Sequence, residues 1–145
     1  GYWNNPEENA RRFTDDGWLR SEDLIAVDAD GYIRYVGRIK LMLKVGGENV
    51  SIEEVETVVE SHEDIAACGA VGVPDPRKGE AVCLYVQPVA GREVDGAALG
   101  EWLKPQLAHF KLPREVVVCE AIPHLGSGKV DRVTLAKWAK EQFGG

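Results

Sequence analysis

The sequence predicts an α+β fold: a small mixed or antiparallel sheet flanked by helices and preceded by a β-hairpin. Three observations carry this. Short apolar runs, alternating or continuous, mark several strands; capped helical stretches lie between and after them; and the two kinds do not follow one another as regular β-α-β units. With 145 residues, 44% of them hydrophobic, the chain has material for one ordinary core.

In order, "GWLRSEDLIAVDADGYIRYVGR" reads as two strands joined at Asp30-Gly31, a pair that tolerates the positive φ of a tight turn. From Arg38 onward Ile39, Leu41, Leu43 and Val45 alternate with Arg38, Lys40, Met42 and Lys44, the pattern of a half-buried strand. Gly46-Gly47 turns the chain. Ser51 then caps a helix with Glu54 in the reciprocal capping position, and Ile52, Val55, Val58 and Val59 form its buried stripe. The segments "IAACGAVGVPD" and "GEAVCLYVQPV" are strands on either side of the turn-like "PDPRKG". Asp95 caps a helix whose Leu99, Trp102, Leu103 and Leu107 share a face, and Pro105, lacking an N–H donor, bends or breaks it. "REVVVCEAI" is a further strand, "PHLGSGK" a glycine-punctuated loop and "DRVTLAKWAKEQF" the closing helix.

Composition narrows the function classes. A net charge of −7 argues against an evenly basic surface for nucleic acid, so anion recognition has to come from local clusters. No apolar run approaches the roughly 18 residues of a membrane span, and the start does not resemble a signal peptide. Cys68, Cys83 and Cys119, odd in number and widely spaced, read as reduced thiols on strands of a cytoplasmic protein. Neither C-x-x-C nor H-x-x-x-H occurs, so no metal site is expected. The chain opens on Gly1 rather than Met and is expected to be a fragment.

Several residues could carry chemistry. Arg38, Lys40 and Lys44 present cations along one strand face, suited to a polyanion, or serve as a solvated edge. "GSGK" is not a phosphate loop of the Walker kind, since Pro123 and Val130 stand where a glycine and a hydroxyl are required; Lys129 is either a turn lysine or a cation swung onto a phosphate. Asp23 could accept hydrogen bonds from two neighbouring sugar hydroxyls, or face solvent. His62, His109 and His124 have no partner at recognisable spacing and read as structural or surface residues.

Taken together, "GYWNNPE", "DDGWLRSEDL", "DADGYIRYVGRIK", "LKVGGENVSIEEVE", "FKLPRE" and a late P-x-x-x-x-G-K-x-x-R resemble, in order and spacing, the carboxyl-terminal end of adenylate-forming acyl-CoA synthetases. The resemblance implies a carboxylic acid activated by ATP to an acyl-adenylate, with Mg2+ on the phosphates held by the amino-terminal domain, and then passed to CoA with release of AMP. It makes Asp23 and Arg38 nucleotide-binding residues, Lys40 the hinge and Lys129 the lysine that enters the site during adenylation. The strip of Arg38, Lys40 and Lys44 straddles the pivot on the nucleotide side. Gly46 and Gly47 line a pantetheine tunnel or simply turn a hairpin. Phe110, Lys111 and Arg114 fall where some members hold the CoA nucleotide, or serve the fold alone.

The same resemblance makes residues 1–36 the end of a large amino-terminal adenylation domain and 37–145 a mobile lid. Expected partners are that domain, a carboxylic acid, as in fatty acid metabolism, and a lysine acetyltransferase acting on Lys129; the isolated chain is expected to be inactive. A relative that loads an amino or aryl acid onto a carrier protein stays open as an alternative, as does a non-catalytic module regulated by lysine acetylation. Glu22 stands where the family usually has glycine, Leu41 replaces a frequent acidic residue, and His124-Leu125-Gly126 departs from the commoner Arg-Thr, while Arg132 is kept.

Overall fold

The computed structural model describes residues 1–143. They fall into two compact units, Gly1–Lys40 and the described residues from Leu41 on.

The first unit begins with helix α1 (Pro6–Arg12), where no element is expected from the sequence. It buries no residue. What holds it is end chemistry: the Asn5 side chain accepts from the Glu8 N–H, Pro6 opens the first turn, Glu7 and Glu8 face the positive end of the helix and Arg11 and Arg12 the negative end. Strands β1 (Asp23–Val27) and β2 (Ile33–Arg38) then form the expected antiparallel hairpin. Its loop is longer than the Asp-Gly pair alone. Asp28 Oδ1 accepts from the backbone N–H of Asp30 (3.0 Å) and Tyr32 (2.9 Å), and Gly31 takes the positive φ, +88°.

The strand expected to run on from Arg38 does not exist as one piece. A 3-10 turn over Ile39–Leu41 separates β2 from β3 (Met42–Val45). The ladder of β2 ends where Asp23 faces Arg38, and that of β3 begins where Met42 faces Ser51 of β4 (Glu48–Ser51). Residues 39–41 lie between two ladders, and the backbone tightens there. The cationic strip is therefore split, with Arg38 and Lys40 in the first unit and Lys44 in the second.

The second unit is a five-stranded mixed sheet. Its long central pair, β5 (Ile65–Asp75) and β6 (Gly79–Pro88), is antiparallel; β6 also meets β3 at its start and runs parallel to β7 (Glu115–Val118). Cys68, Ala70, Val82, Leu84 and Val86 pack on one side with buried residues of helices α2 (Ile52–Glu60) and α3 (Gly96–Leu103). Val71, Val73, Ala81, Cys83 and Tyr85 pack on the other with Leu135 and Ala139 of α4 (Arg132–Phe143). Burial on both faces is why these strands read as continuous apolar runs. Gly69 lets α4 approach: a Cβ there would lie 2.5 Å from Leu135 Cδ1 and 2.9 Å from Val130 Cγ1.

Three further expectations change in detail. Ser51 Oγ accepts from the Glu54 N–H (3.4 Å) as a cap should, but the Glu54 carboxylate turns to Lys111 instead of completing the reciprocal bond. Helix α3 stops at Leu103, two residues before Pro105: Lys104 keeps helical backbone (φ −55°, ψ −44°), but Pro105 has no N–H with which to continue the ladder. The strand expected through Cys119 and beyond ends at Val118, leaving Cys119 past the strand while Cys68 and Cys83 are buried within theirs.

Candidate functional site

In the first unit Asp23 opens β1 and Arg38 closes β2 directly opposite, so register alone sets them side by side: Arg38 Nε donates to Asp23 Oδ1 at 3.0 Å. Both border a polar cavity of about 210 Å³ that also meets Tyr2, Arg12, Leu19, Arg20, Ser21 and Glu22. A carboxylate beside a guanidinium offers an acceptor for hydroxyls and a forked donor for phosphate.

Glu22 adopts φ +63°, left-handed backbone that non-glycine residues seldom take, at the position where glycine would have been expected. Its carboxylate Oε2 receives Arg12 Nη1 at 2.9 Å and Lys40 Nζ at 3.0 Å. The Lys40 hydrogen bond first, and the Arg12 charge with it, hold the Glu22 carboxyl below the ordinary glutamate range. Lys40 is thus an engaged cation.

In the second unit Gly46 (φ +61°) and Gly47 (φ +92°) form the two-residue turn between paired Val45 and Glu48, a geometry that by itself calls for glycine at both positions. The Gly46 N–H donates to the Lys78 carbonyl (2.8 Å), tying this turn to the one between β5 and β6. Lys44 precedes it; its backbone N–H donates to Glu80 Oε2 (2.7 Å) and its side chain is exposed.

Phe110, Lys111 and Arg114 form a second group. Lys111 Nζ lies 5.8 Å from the Phe110 ring centroid and donates to both Glu54 oxygens, at 2.6 and 2.7 Å. Arg114 Nη1 donates to the Pro74 carbonyl (3.1 Å) and Asp75 Oδ2 (3.4 Å). Asp75 also receives the backbone N–H groups of Lys78 and Arg77, which lower its carboxyl, with Arg114 adding to the effect.

Lys129 stands exposed in a tight turn. His124 bridges Val130, the Leu125 N–H donates to the Lys129 carbonyl (2.8 Å), and the Gly128 N–H donates to the Leu125 carbonyl (2.9 Å). Just beyond, Asp131 caps α4 by accepting from Val133 N–H (3.1 Å) and Thr134 N–H (3.2 Å). Arg132 then makes a two-pronged pair with Glu56 of α2 and donates to the Ala70 carbonyl (3.1 Å), anchoring the base of the lysine turn.

In the sequence Arg132 stands out only as a kept residue, and Glu56 not at all. A signal was available: Glu56 adjoins Val55 and Val59 on the buried face of α2, where a carboxylate requires a partner. The histidines take structural contacts: His62 edges Trp102 at 4.7 Å, His109 edges Phe110 at 5.6 Å, and His124 Nδ1 meets the Ile122 carbonyl at 2.7 Å. Among the described residues no group of three or more His, Cys, Asp or Glu could hold a metal ion, and no helix is long and apolar enough to cross a membrane.

Fold and site define an α+β protein in two units, one whose hairpin pairs Asp23 with Arg38 and one whose mixed sheet, covered on both faces, is joined by turns and loops that carry Lys111, Arg114 and Lys129. Residues 54–129 match the family of the AMP-binding enzyme C-terminal domain. The chain belongs to that family. It is 42% identical over 130 residues to a feruloyl-CoA synthase of Amycolatopsis sp, covering 90% of this chain and 26% of that enzyme. ATP-bound MatB from Rhodopseudomonas palustris matches with a TM-score of 0.83 at 32% identity, over 99% of this chain and 28% of that one. The o-succinylbenzoate CoA synthetase (MenE) of Bacillus subtilis, solved with its acyl-adenylate intermediate, matches with 0.83 at 30% identity, over 93% and 27%. The chain spans about a quarter of the length of the curated relatives it matches.

Proposed function

We propose that the chain is the C-terminal part of an ATP-dependent acid–CoA ligase, with the first unit, Gly1–Lys40, closing the large adenylation domain and the chain from Leu41 on forming the lid, a boundary four residues later than the 36/37 expected from the sequence. The observation that carries this reading is the distribution of polar residues. A carboxylate–guanidinium pair, Asp23 and Arg38, sits in one compact unit, an exposed turn lysine, Lys129, in the other, and the units part after Lys40.

In the first half-reaction a substrate carboxylate oxygen attacks the α-phosphorus of ATP and pyrophosphate leaves. Asp23 accepts the ribose hydroxyls, Arg38 reaches the nucleotide with Lys44 adding charge, and Lys129 stabilises charge at phosphorus. In the second, pantetheine sulfur attacks the acyl carbon and AMP leaves. The turn at Gly46 and Gly47 borders the path of the pantetheine arm, and Phe110, Lys111 and Arg114 meet the CoA nucleotide. Lys40 is the pivot between the steps. Any Mg2+ accompanying ATP would be held by residues of the large domain and would neutralise phosphate charge.

The first unit's exposed Trp3 (97%), Trp18 (74%) and Tyr32 (74%) support a large partner domain covering it, and the isolated chain is inactive on this reading. Three free thiols support a cytoplasmic setting. The exposed Lys129 turn suits a lysine acetyltransferase, whose acetyl group would remove the charge adenylation uses. The acid is a carboxylic acid, fatty acids included.

The test uses the full-length enzyme. Lys129→Ala should cut acid-dependent pyrophosphate exchange into ATP by about 100-fold, the scale of losing one charge-stabilising group, while sparing thioester formation from supplied adenylate and free CoA. Equal loss of both steps would overturn the assignment.

A further inference from the structure

We propose that Glu22 is a positioning residue that grips the exit of the first unit and sets how readily the chain turns at Lys40. The proposal rests on the two-step reading above only for its kinetic consequence; the grip itself is geometric.

Glu22 holds the exit at two points. Its carbonyl accepts from the Ile39 N–H at 2.9 Å, and its carboxylate Oε2 receives Lys40 Nζ at 3.0 Å. Lys40 is the last residue before the two units divide. The same oxygen receives Arg12 Nη1 at 2.9 Å, and Arg12 Nε donates to Glu8 Oε1 at 2.7 Å, so the grip is braced against α1.

The members differ in freedom. The Arg12 side chain is 19% exposed and the Lys40 side chain 58%, which makes Arg12 the fixed brace and Lys40 the releasable end. Rotation about the N–Cα bond of Lys40 swings its side chain and breaks or stretches the bond to Glu22, whereas rotation about its Cα–C bond leaves that bond in place, so the grip acts on the first of the two. Glu22 itself sits at φ +63°, an unfavoured conformation for a residue with a Cβ. A residue serving the hairpin alone gains nothing from that strain, because glycine would supply the same turn. The side chain is what glycine lacks, and its two cations are what it reaches.

Two variants of the full-length enzyme separate the grip from the turn. Glu22→Gly relieves the backbone and deletes the carboxylate; Glu22→Gln keeps the side chain's size and deletes its charge. With spin labels at Asp30 and Glu101, pulsed dipolar spectroscopy on the unliganded enzyme should show the populations of distances between units shifting about two- to fivefold in both variants, the scale of an exposed ion pair. The wild type should shift the same way when salt rises from about 0.05 to 0.5 M, and the variants should not respond, since screening acts on the pair they lack. Glu22→Asp should lie between. Pyrophosphate exchange and thioester formation should move in opposite directions.

Unchanged populations and an intact salt response in both variants would overturn the proposal, even if melting temperatures moved. Absence of pyrophosphate exchange with any acid would defeat the acid–CoA ligase reading and leave the distance result standing.

Discussion

Glu56 and Arg132, 76 positions apart, meet as a two-pronged ion pair, Nη1 to Oε1 at 2.5 Å and Nη2 to Oε2 at 2.7 Å. Glu56 Oε1 also receives the Ala70 N–H at 2.6 Å, so one carboxylate joins α2, β5 and the start of α4. Glu56 raises the already high pKa of the Arg132 guanidinium. Its side chain is 11% exposed and that of Arg132 27%.

Glu56→Ala should therefore destabilise the protein by about 3 kcal/mol, the lower end of what breaking a buried pair costs, because Arg132 keeps some access to water. The Ala70 N–H is stranded with it. Replacing both partners by apolar residues of similar volume should recover most of the loss. Urea unfolding of the single and double variants measures both, and a single variant within about 0.5 kcal/mol of wild type would contradict this account.

Gly69→Ala should cost about 1–3 kcal/mol by overpacking. The new methyl would stand 2.5 Å from Leu135 Cδ1 and 2.9 Å from Val130 Cγ1. Val130 immediately follows Lys129, so the displacement reaches the lysine turn. Chemical denaturation gives the stability change, and amide chemical shifts of 124–130 should move with it; unaltered shifts there would show that α4 yields instead.

How much of this was legible depended on how local the deciding physics is. Strands β5 and β6 announce themselves by apolar runs, and α2 by Ser51 ahead of Ile52 and Val55, because burial and capping are written in neighbouring residues. The break at Ile39–Leu41 is not local. Alternation continues through it, and only the loss of one ladder before the next begins ends the strand. Helix α1 lacks any apolar stripe, so a search for periodicity passes over it, though Asn5, Pro6, Glu7 and Glu8 spell a helix start. At the site, the pairing of Asp23 with Arg38 follows once the hairpin is placed. The engagement of Lys111 by Glu54, 57 residues earlier, needs the tertiary fold.

The acid-side behaviour of the first unit follows from Glu8. Its carboxyl is held down to about 2 from an ordinary 4.5, chiefly by hydrogen bonds from Arg11 and then Arg12. A folded value below the unfolded one means that the contribution is fully present above about pH 4.5 and is lost as pH falls toward 2. A carbon-13 titration of the Glu8 carboxyl should show a midpoint near 2 in the wild type. In Arg11→Ala it should move up toward the ordinary range. A wild-type midpoint near 4.5 would mean the pairs with Arg11 and Arg12 do not persist in solution.

Lys111 offers a gain-of-function test of the proposed contact with CoA. Its ammonium donates to both Glu54 oxygens while lying against Phe110, so any phosphate arriving there competes with a carboxylate already in place. The Glu54 side chain is 48% exposed, which limits the pair to at most about 1 kcal/mol. Glu54→Gln keeps the backbone N–H that Ser51 caps and removes only the competing charge. In the full-length enzyme this variant should lower KM for CoA by about two- to fivefold, matching that limit, and leave KM for ATP unchanged. Lys111→Ala should raise KM for CoA, and adding Glu54→Gln to it should restore nothing, because the gain acts through Lys111. An equal gain in both backgrounds would place the effect in the general field of the surface and remove Lys111 from the CoA contacts.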